Sequence, residues 1–298
     1  MIAFSDAPAA VGVAEPGYWS RVAGMLRGDP AVAVAIVFLV AVIIAAALGP
    51  LIEPYNPIAQ SIQGGALQPP SRAHLFGTDP FGRDVLSRVI DGARVSLAVA
   101  VLAVVLASIL GTLYGVTAGY AGGVTDTVLM RVVDAMLAIP RIILLLAVVE
   151  TWGTIGVRHL VVLLGCTGWF GVSRLVRAEV LAVKQREFIG AARALGASSR
   201  RIVVRHVVPH VLSPVFVAAT LGIGNIVVVE AGLSYLGLGI PQPRASWGSI
   251  IRDGRDVMAS AWWVSAFPGL ALSATVLAVN VIAERLRQAL NPRQLPAP

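Results

Sequence analysis

The sequence FIGAARALGASSRRIVVRHVVPHVLSP, residues Phe188–Pro214, inserts a basic, helix-patterned segment into an otherwise very apolar chain of 298 residues. The apolar positions of its first half recur at the spacing of one helical face, namely Phe188, Ala191, Ala192 and Leu195. Gly196 is placed to end that helix in a left-handed conformation. The pattern therefore predicts a short helix with a small-residue face and a glycine corner.

The second half of the segment predicts another short helix. Ser198 and Ser199 can cap its start, and Pro209 is predicted to stop it. Its apolar stripe consists of Ile202, Val203, His206 and Val207. Isolated helices this short are marginal in water, so the hairpin is expected to bind a partner surface. A solvated hairpin without a partner is the alternative.

The composition of the whole chain is that of a membrane protein. Hydrophobic residues make up 57% of it and charged residues only 13%, whereas a soluble domain has roughly half and a quarter. The net charge of +7 fits cytoplasmic loops rich in Lys and Arg better than a nucleic-acid-binding domain. Cys166 is the single cysteine, so an internal disulfide is excluded.

Long apolar runs predict an all-α integral membrane protein with six spans, because about 20 helical residues cross the hydrocarbon core. The runs cover residues 31–52, 95–120, about 124–149, about 159–176, about 211–229 and about 262–282. Basic residues concentrate in the loop 177–210 and near the C-terminus. The positive-inside rule then predicts that both termini lie in the cytoplasm, in a multi-pass protein of the cell membrane.

This topology divides the chain into successive segments. They are a cytoplasmic segment 1–30 with an interfacial helix, the first span 31–52, a long outer loop 53–94, a core 95–293 and a tail 294–298. The core contains the cytoplasmic loop 177–210 and an outer segment 230–261 that is too apolar for a free loop. In the outer loop, Thr78 and Asp79 before Pro80 predict the start of an amphipathic helix leading into span two.

No pattern in the chain indicates catalysis or metal binding. The four histidines are scattered, which disfavours a metal site. A phosphate-binding loop of the G-x-x-x-x-G-K-[ST] type does not occur, so the chain is not expected to bind ATP in that way. An ion-coupled secondary transporter and an intramembrane enzyme are the alternatives from other classes. Several charge-free spans and the lack of an internal repeat disfavour the transporter.

The cytoplasmic loop resembles a motif of ABC-importer permease subunits, written E-A-A, three residues, G, nine residues, I-x-L-P. The resemblance implies that the loop is a coupling helix that docks in a cleft of an ATPase subunit. The residues it assigns to this contact are Glu187, Gly190, Ala191, Ala192, Leu195, Gly196, His206 and Pro209. Gly190 stands where the motif has its glutamate, and Glu187 lies one turn earlier, placed to compensate.

Four further stretches are similar to the dipeptide/oligopeptide branch of these permeases, in particular its second permease of the DppC/OppC type. They are FGTDPFGRDVLSRVIDGARVSL (76–97), MRVVDAMLAIP (Met130–Pro140), EAGLSYLGLGIPQPRASWG (Glu230–Gly248) and ERLRQALNPR (Glu284–Arg293). The resemblance implies the type I ABC importer permease fold and import of short peptides. Nickel-chelate and glutathione importers share the branch and are alternatives.

The resemblance also implies the partners. They are a sister permease in a heterodimer, two ATPase subunits that bind ATP and magnesium, and an external substrate-binding protein. This chain would hold no cofactor of its own.

Four charged residues in or near the spans are candidates for specific roles. Arg131 and Asp134 are expected to form a structural ion pair at i, i+3. Arg141 either faces the translocation path and attracts a carboxylate-bearing substrate, or snorkels or pairs at the permease–permease interface. Glu230, in the same motif as Tyr235, is expected to hold the outer segment in place.

Overall fold

The computed structural model describes residues 29–61, 65–153 and 155–290. Within these ranges the chain is helical and contains no strand. The interfacial helix predicted in segment 1–30 and the tail 294–298 lie outside the described residues. The helices are α1 Pro30–Ile52, α2 Val85–Ala121, α3 Gly123–Ala138, α4 Arg141–Trp152, α5 Val157–Lys184, α6 Glu187–Ala194, α7 Ser199–Ile202, α8 Val208–Tyr235, α9 Trp247–Asp253 and α10 Trp263–Leu290.

Five helical stretches are long and apolar enough to cross a membrane, and α3 with α4 forms a sixth, bent by 84°. This bent pair extends from one side of the protein to the other. Asp126 near its start pairs with Arg177, close to the cytoplasmic loop, whereas Val149 and Gly153 at its end line a cavity together with the outer segment. The pair therefore makes one crossing, and six crossings place residues 29 and 290, the two ends of the described part of the chain, on the same side.

The third span was predicted as one helix over about residues 124–149, and the structure corrects this. The α-helix ends at Ala138, and Ile139 is extended, with φ −84° and ψ 124°. Pro140 follows, and a residue that precedes proline is driven out of the helical region by contact with the pyrrolidine ring. The proline also lacks the N–H that an uninterrupted helix needs. The span is therefore broken directly before Arg141.

The predicted helix start at Thr78 is also wrong. Asp79 instead closes a tight turn, because its carboxylate accepts hydrogen bonds from the backbone N–H groups of Phe81 (2.8 Å) and Arg83 (3.0 Å). The helix begins at Val85, where the Asp84 side chain caps it by accepting from the N–H of Ser87. From there the amphipathic part and the second span form one continuous helix.

Pro209 does not stop the second helix of the cytoplasmic loop. Residues Val203–Val207 form a π-helical turn, in which the N–H of Val208 donates to the carbonyl of Val203. This wider turn gives the proline ring room that an α-helical turn would deny it. Helix α7, the π-turn and α8 therefore run without interruption from Ser199 to Tyr235.

A glycine seam packs α2 closely against α5. It consists of Gly111, Gly115 and Gly119, spaced four residues apart. A Cβ atom added at Gly115 would lie 2.5 Å from the Ser173 carbonyl oxygen, and one at Gly111 would lie 2.9 Å from that of Trp169. Small residues at this spacing let membrane helices approach to backbone contact.

We predict that Gly115→Ala destabilises the protein even though alanine favours helix more than glycine does. The new methyl group has to push the α5 backbone away, and overpacking of this kind costs about 1–3 kcal/mol. The measurement is the thermal unfolding midpoint of the purified protein in detergent. Gly171→Ala is the control, because a Cβ there meets no atom within 4 Å. Equal midpoints for the two variants would contradict the seam.

Candidate functional site

The first helix, the glycine corner and the serine cap of the cytoplasmic hairpin, residues 185–207, have the local structure that the sequence predicts. Helix α6 ends at Ala194, and Gly196 adopts a left-handed conformation with φ +79°. The N–H of Ala197 donates to the carbonyl of Ala192 at 3.0 Å, which closes the corner. The Ser198 hydroxyl accepts from the N–H of Arg201 at 3.4 Å and caps α7.

A buried apolar cluster fixes the hairpin to the spans. Ile189 of α6, Ile202 of α7 and Val207 of the π-turn are almost fully buried. They pack against side chains of α5 and α8, namely Val176, Val180, Val183, Val211 and Val215. Because interiors packed in this way resist deformation, the hairpin and the two spans should move together.

The opposite face of the hairpin remains exposed. Leu195 has 88% of its surface exposed and Phe188 has 37%, and Ala191 is exposed beside them. The Phe188 ring stacks on the ring of His210 at 5.3 Å. A leucine this exposed at the tip of a rigid element leaves apolar surface in water that contact with a partner protein would bury.

The remaining residues assigned to this contact surround that face. Glu187, Gly190 and Pro209 are exposed, whereas Ala192 and His206 are partly buried. A Cβ atom at Gly190 would meet no atom within 4 Å, so packing within the chain does not require glycine there. The surface around the apolar tip is basic, with the exposed residues Arg186, Arg193, Arg200, Arg201 and Arg205. It would complement an apolar cleft with an acidic rim.

Two polar contacts join the base of the hairpin to neighbouring helices. The Lys184 ammonium donates to the carbonyl oxygens of Gly119 (3.0 Å) and Tyr120 (2.9 Å), the last carbonyls of α2. A cation in this position satisfies carbonyls that the helix itself leaves free. Arg177 donates two hydrogen bonds of 2.6 Å to the carboxylate of Asp126 at the start of α3.

The predicted ion pair between Arg131 and Asp134 is not the one that forms. Asp134 pairs with Arg174 of α5, and Arg131 is exposed. The contact between α3 and α5 places the long Arg174 side chain within reach of the carboxylate. Spacing along one helix therefore gave the wrong partner for Asp134, because its carboxylate pairs across the contact between two helices.

Arg141 begins α4, directly after the break at Pro140. Its Nη2 donates to the carbonyl oxygen of Leu164 in α5 at 3.2 Å. Its Nε is buried and has no hydrogen-bond partner among the described residues. No acidic side chain in those residues pairs with it, so no carboxylate balances its positive charge within the described part of the chain.

Glu230 lies at the centre of a buried polar network near the outer end of α8, with no exposed surface. Its carboxylate accepts from the hydroxyls of Ser96 (3.0 Å) and Ser234 (2.7 Å). Ser96 also accepts from the N–H of Trp247 at 3.3 Å. The network therefore joins α2, α8 and the outer segment, whereas Tyr235 lies outside it, exposed at the end of α8.

A second buried polar group, the outer charge cluster, consists of Asp79, Arg83, Arg88 and Asp253. The sequence did not predict it. Arg83 donates to Asp79 at 2.6 Å and to Asp253 at 2.9 Å, and Arg88 donates to Asp253 at 3.1 Å. Burial raises the pKa of Asp253, and the two arginines oppose that rise. The pairs to Asp253 fasten the outer loop and the start of α2 to α9.

Two family models match this chain. Residues 111–295 match the binding-protein-dependent transport system inner membrane component. Residues 17–70 match the N-terminal transmembrane domain of oligopeptide transport permease C. This chain belongs to that inner membrane component family, the permeases of ABC importers. This membership identifies the chain as a transport permease of the inner membrane. The two alternatives from other classes, an ion-coupled transporter and an intramembrane enzyme, therefore do not apply.

Curated relatives of the permease match over most of its length. The dipeptide transport system permease protein DppC of Escherichia coli (strain K12) is 42% identical over 266 residues, which are 87% of this chain and 88% of the relative. DppC of Alkalihalophilus pseudofirmus is 37% identical, covering 92% and 90%. The oligopeptide transport system permease protein OppC of Bacillus subtilis (strain 168) is 33% identical, with the same coverage.

Among solved structures, the permease is similar to a chain of the MetNI methionine ABC transporter in an inward-facing conformation. The TM-score is 0.57 at 20% sequence identity, and the match covers 69% of this chain and 97% of the other. This likeness establishes the fold of an ABC importer permease.

We predict that Glu230→Ala destabilises the permease by about 2–4 kcal/mol, because it opens a cavity and leaves buried hydroxyls without their acceptor. Glu230→Gln should cost much less. Its amide keeps the volume, the carbonyl can accept from Ser234, and the NH2 group can donate to Ser96. The measurement is the unfolding midpoint in detergent for both variants. A glutamine variant as unstable as the alanine variant would contradict this account of the network.

Proposed function

We propose that the permease and a sister permease form the translocation path for short peptides in an ATP-driven importer. Two ATPase subunits would bind ATP and magnesium and dock on the cytoplasmic hairpin, and an external binding protein would deliver the cargo. The observation that carries the proposal is the rigidly fixed hairpin with its exposed Leu195 tip. The names of the relatives, which are dipeptide and oligopeptide permeases, support the class of cargo.

The coupling would act through the long helix Ser199–Tyr235. Its cytoplasmic end belongs to the hairpin, and Glu230 near its outer end is bonded into the outer network. At 1.5 Å per residue its 37 residues extend over roughly 55 Å. Closure of the ATPases would displace the hairpin, and this helix would carry the displacement to the outer side.

We predict that Leu195→Asp uncouples the importer. Burying a leucine on docking contributes about 2 kcal/mol, so its loss should weaken ATPase association roughly thirtyfold. The measurement is co-purification of the ATPase subunits with the membrane complex, together with peptide uptake. Leu75→Asp is the matched control, because Leu75 is also an exposed leucine, at 59%, but lies in the outer loop. Normal ATPase association in the Leu195 variant would refute the docking proposal.

The same complex in lipid provides the test of cargo class. The external binding protein is added loaded with dipeptide, longer peptide, nickel chelate or glutathione, and ATP hydrolysis is measured. Stimulation by a peptide-loaded form is the expected result. Stimulation by the nickel-chelate or glutathione form alone would assign the permease to one of those importers of the same branch.

We further propose that Arg141 faces the path and attracts the carboxylate of the cargo. The positive charge without an acidic partner among the described residues and the break in the span directly before it support this role, because irregular backbone at membrane depth must be buried in protein or line a water-filled cavity. Its alternative roles are snorkelling or pairing across the permease–permease interface.

We predict that Arg141→Ser slows the uptake of acidic peptides roughly tenfold, because the variant loses about 1.4 kcal/mol of charge-assisted binding. Uptake of a peptide amide, which lacks the terminal carboxylate, should change little. Arg141→Lys should restore part of the uptake of acidic peptides. An equal loss for acidic peptides and amides would favour the interface role, and unchanged uptake of every peptide would eliminate the path role.

A further inference from the structure

A cavity of about 340 Å³ opens where the first, second and fourth spans meet the outer side of the membrane. Its charged lining consists of Asp91, Arg94 and Arg244, and its apolar lining includes Ile58 and Val157. Arg94 directly precedes the uncharged run 95–120, and Ile58 follows the end of α1 by a few residues. The cavity therefore lies at the level of the lipid headgroups.

The three charged side chains converge on this cavity without pairing with one another. Asp91 lies close enough to Arg244 and Arg94 for both to stabilise its charge. None of the three forms a salt bridge or a side-chain hydrogen bond among the described residues. Arg94 and Arg244 are exposed, so their donors are available to a ligand.

An exposed apolar stripe on α2 continues from the cavity into the membrane. It consists of Ala98, Leu102, Val105 and Ile109, at the three- and four-residue spacing of one helix face. From Ala98 to Ile109 the helix rises roughly 16 Å, which is about half of the ~30 Å hydrocarbon core. The stripe therefore has the length of one leaflet.

We propose that this cavity and stripe bind a phospholipid of the outer leaflet with an amine headgroup, of the phosphatidylethanolamine class. Arg94 and Arg244 bind the phosphate, since guanidinium groups match phosphate oxygens. Asp91 binds the ammonium group, and an acyl chain lies along the stripe. Two cations and one carboxylate complement a zwitterionic headgroup, whereas an anionic headgroup without the amine would leave the carboxylate unpartnered.

The test uses the full importer complex, purified in mild detergent, with bound lipids quantified by native mass spectrometry and lipid extraction. Arg94→Gln combined with Arg244→Gln should reduce retained phosphatidylethanolamine roughly tenfold, as expected for losing charge-assisted bonds to phosphate. Asp91→Asn should shift the preference towards phosphatidylglycerol in vesicles that contain both lipids. Arg72→Gln, an exposed outer-loop arginine away from the cavity, should change neither.

Three results would overturn the binding site as a whole, and a fourth would overturn the role of Asp91. The first is unchanged lipid retention in the double variant. The second is displacement of the lipid by inorganic phosphate alone, which would indicate a phosphate site that makes no use of the stripe. The third is loss of the sister permease from the double variant, which would identify this face as a contact between the two permeases. A preference for phosphatidylethanolamine that persists in Asp91→Asn would refute the role of the carboxylate.

Discussion

The direct backbone contact between α2 and α5 is the constraint on which the rest of the permease depends. In lipid, apolar side chains gain little by leaving the bilayer for a neighbouring helix, so close packing must hold the spans together. The glycine seam provides it, and the polar contacts at the cytoplasmic end follow from it. Lys184 of α5 reaches two of the last carbonyls of α2 because these two helices are this close, and Arg177 reaches Asp126 at the start of α3, which directly follows α2.

On the outer side, a second set of contacts, formed by polar groups, holds the helices together. The outer segment is held by the Glu230 network and by the outer charge cluster, both of which are buried. A buried charge that loses its partner is strongly destabilising, so these contacts require one arrangement of the outer loop, α2 and α9. The permease is therefore fixed near both surfaces, while the broken third span lies between them.

Local chemistry was sufficient for part of this fold. Gly196, Ser198 and the apolar runs identified the hairpin corner, its cap and the six crossings. The two prolines show where local chemistry fails. Pro209 was expected to end a helix but lies within one, and Pro140 was expected to lie within a helix but follows the end of one. A proline leaves both outcomes open locally, and the surrounding packing decides.

Asp253 is 170 residues from Arg83 in sequence, so no spacing rule could have paired them. The spacing of Gly111, Gly115 and Gly119, in contrast, was visible in the sequence.

The π-turn at Val203–Val207 has a mechanical consequence for the long helix that contains it. Val207, the last residue of this turn, is fully buried in the apolar cluster that fixes the hairpin to α5 and α8. Because an interior packed in this way resists deformation, the hairpin and the span form one lever with no joint between them. A sideways push on the hairpin then tilts the whole lever, and the displacement of any point on it grows with distance from the pivot.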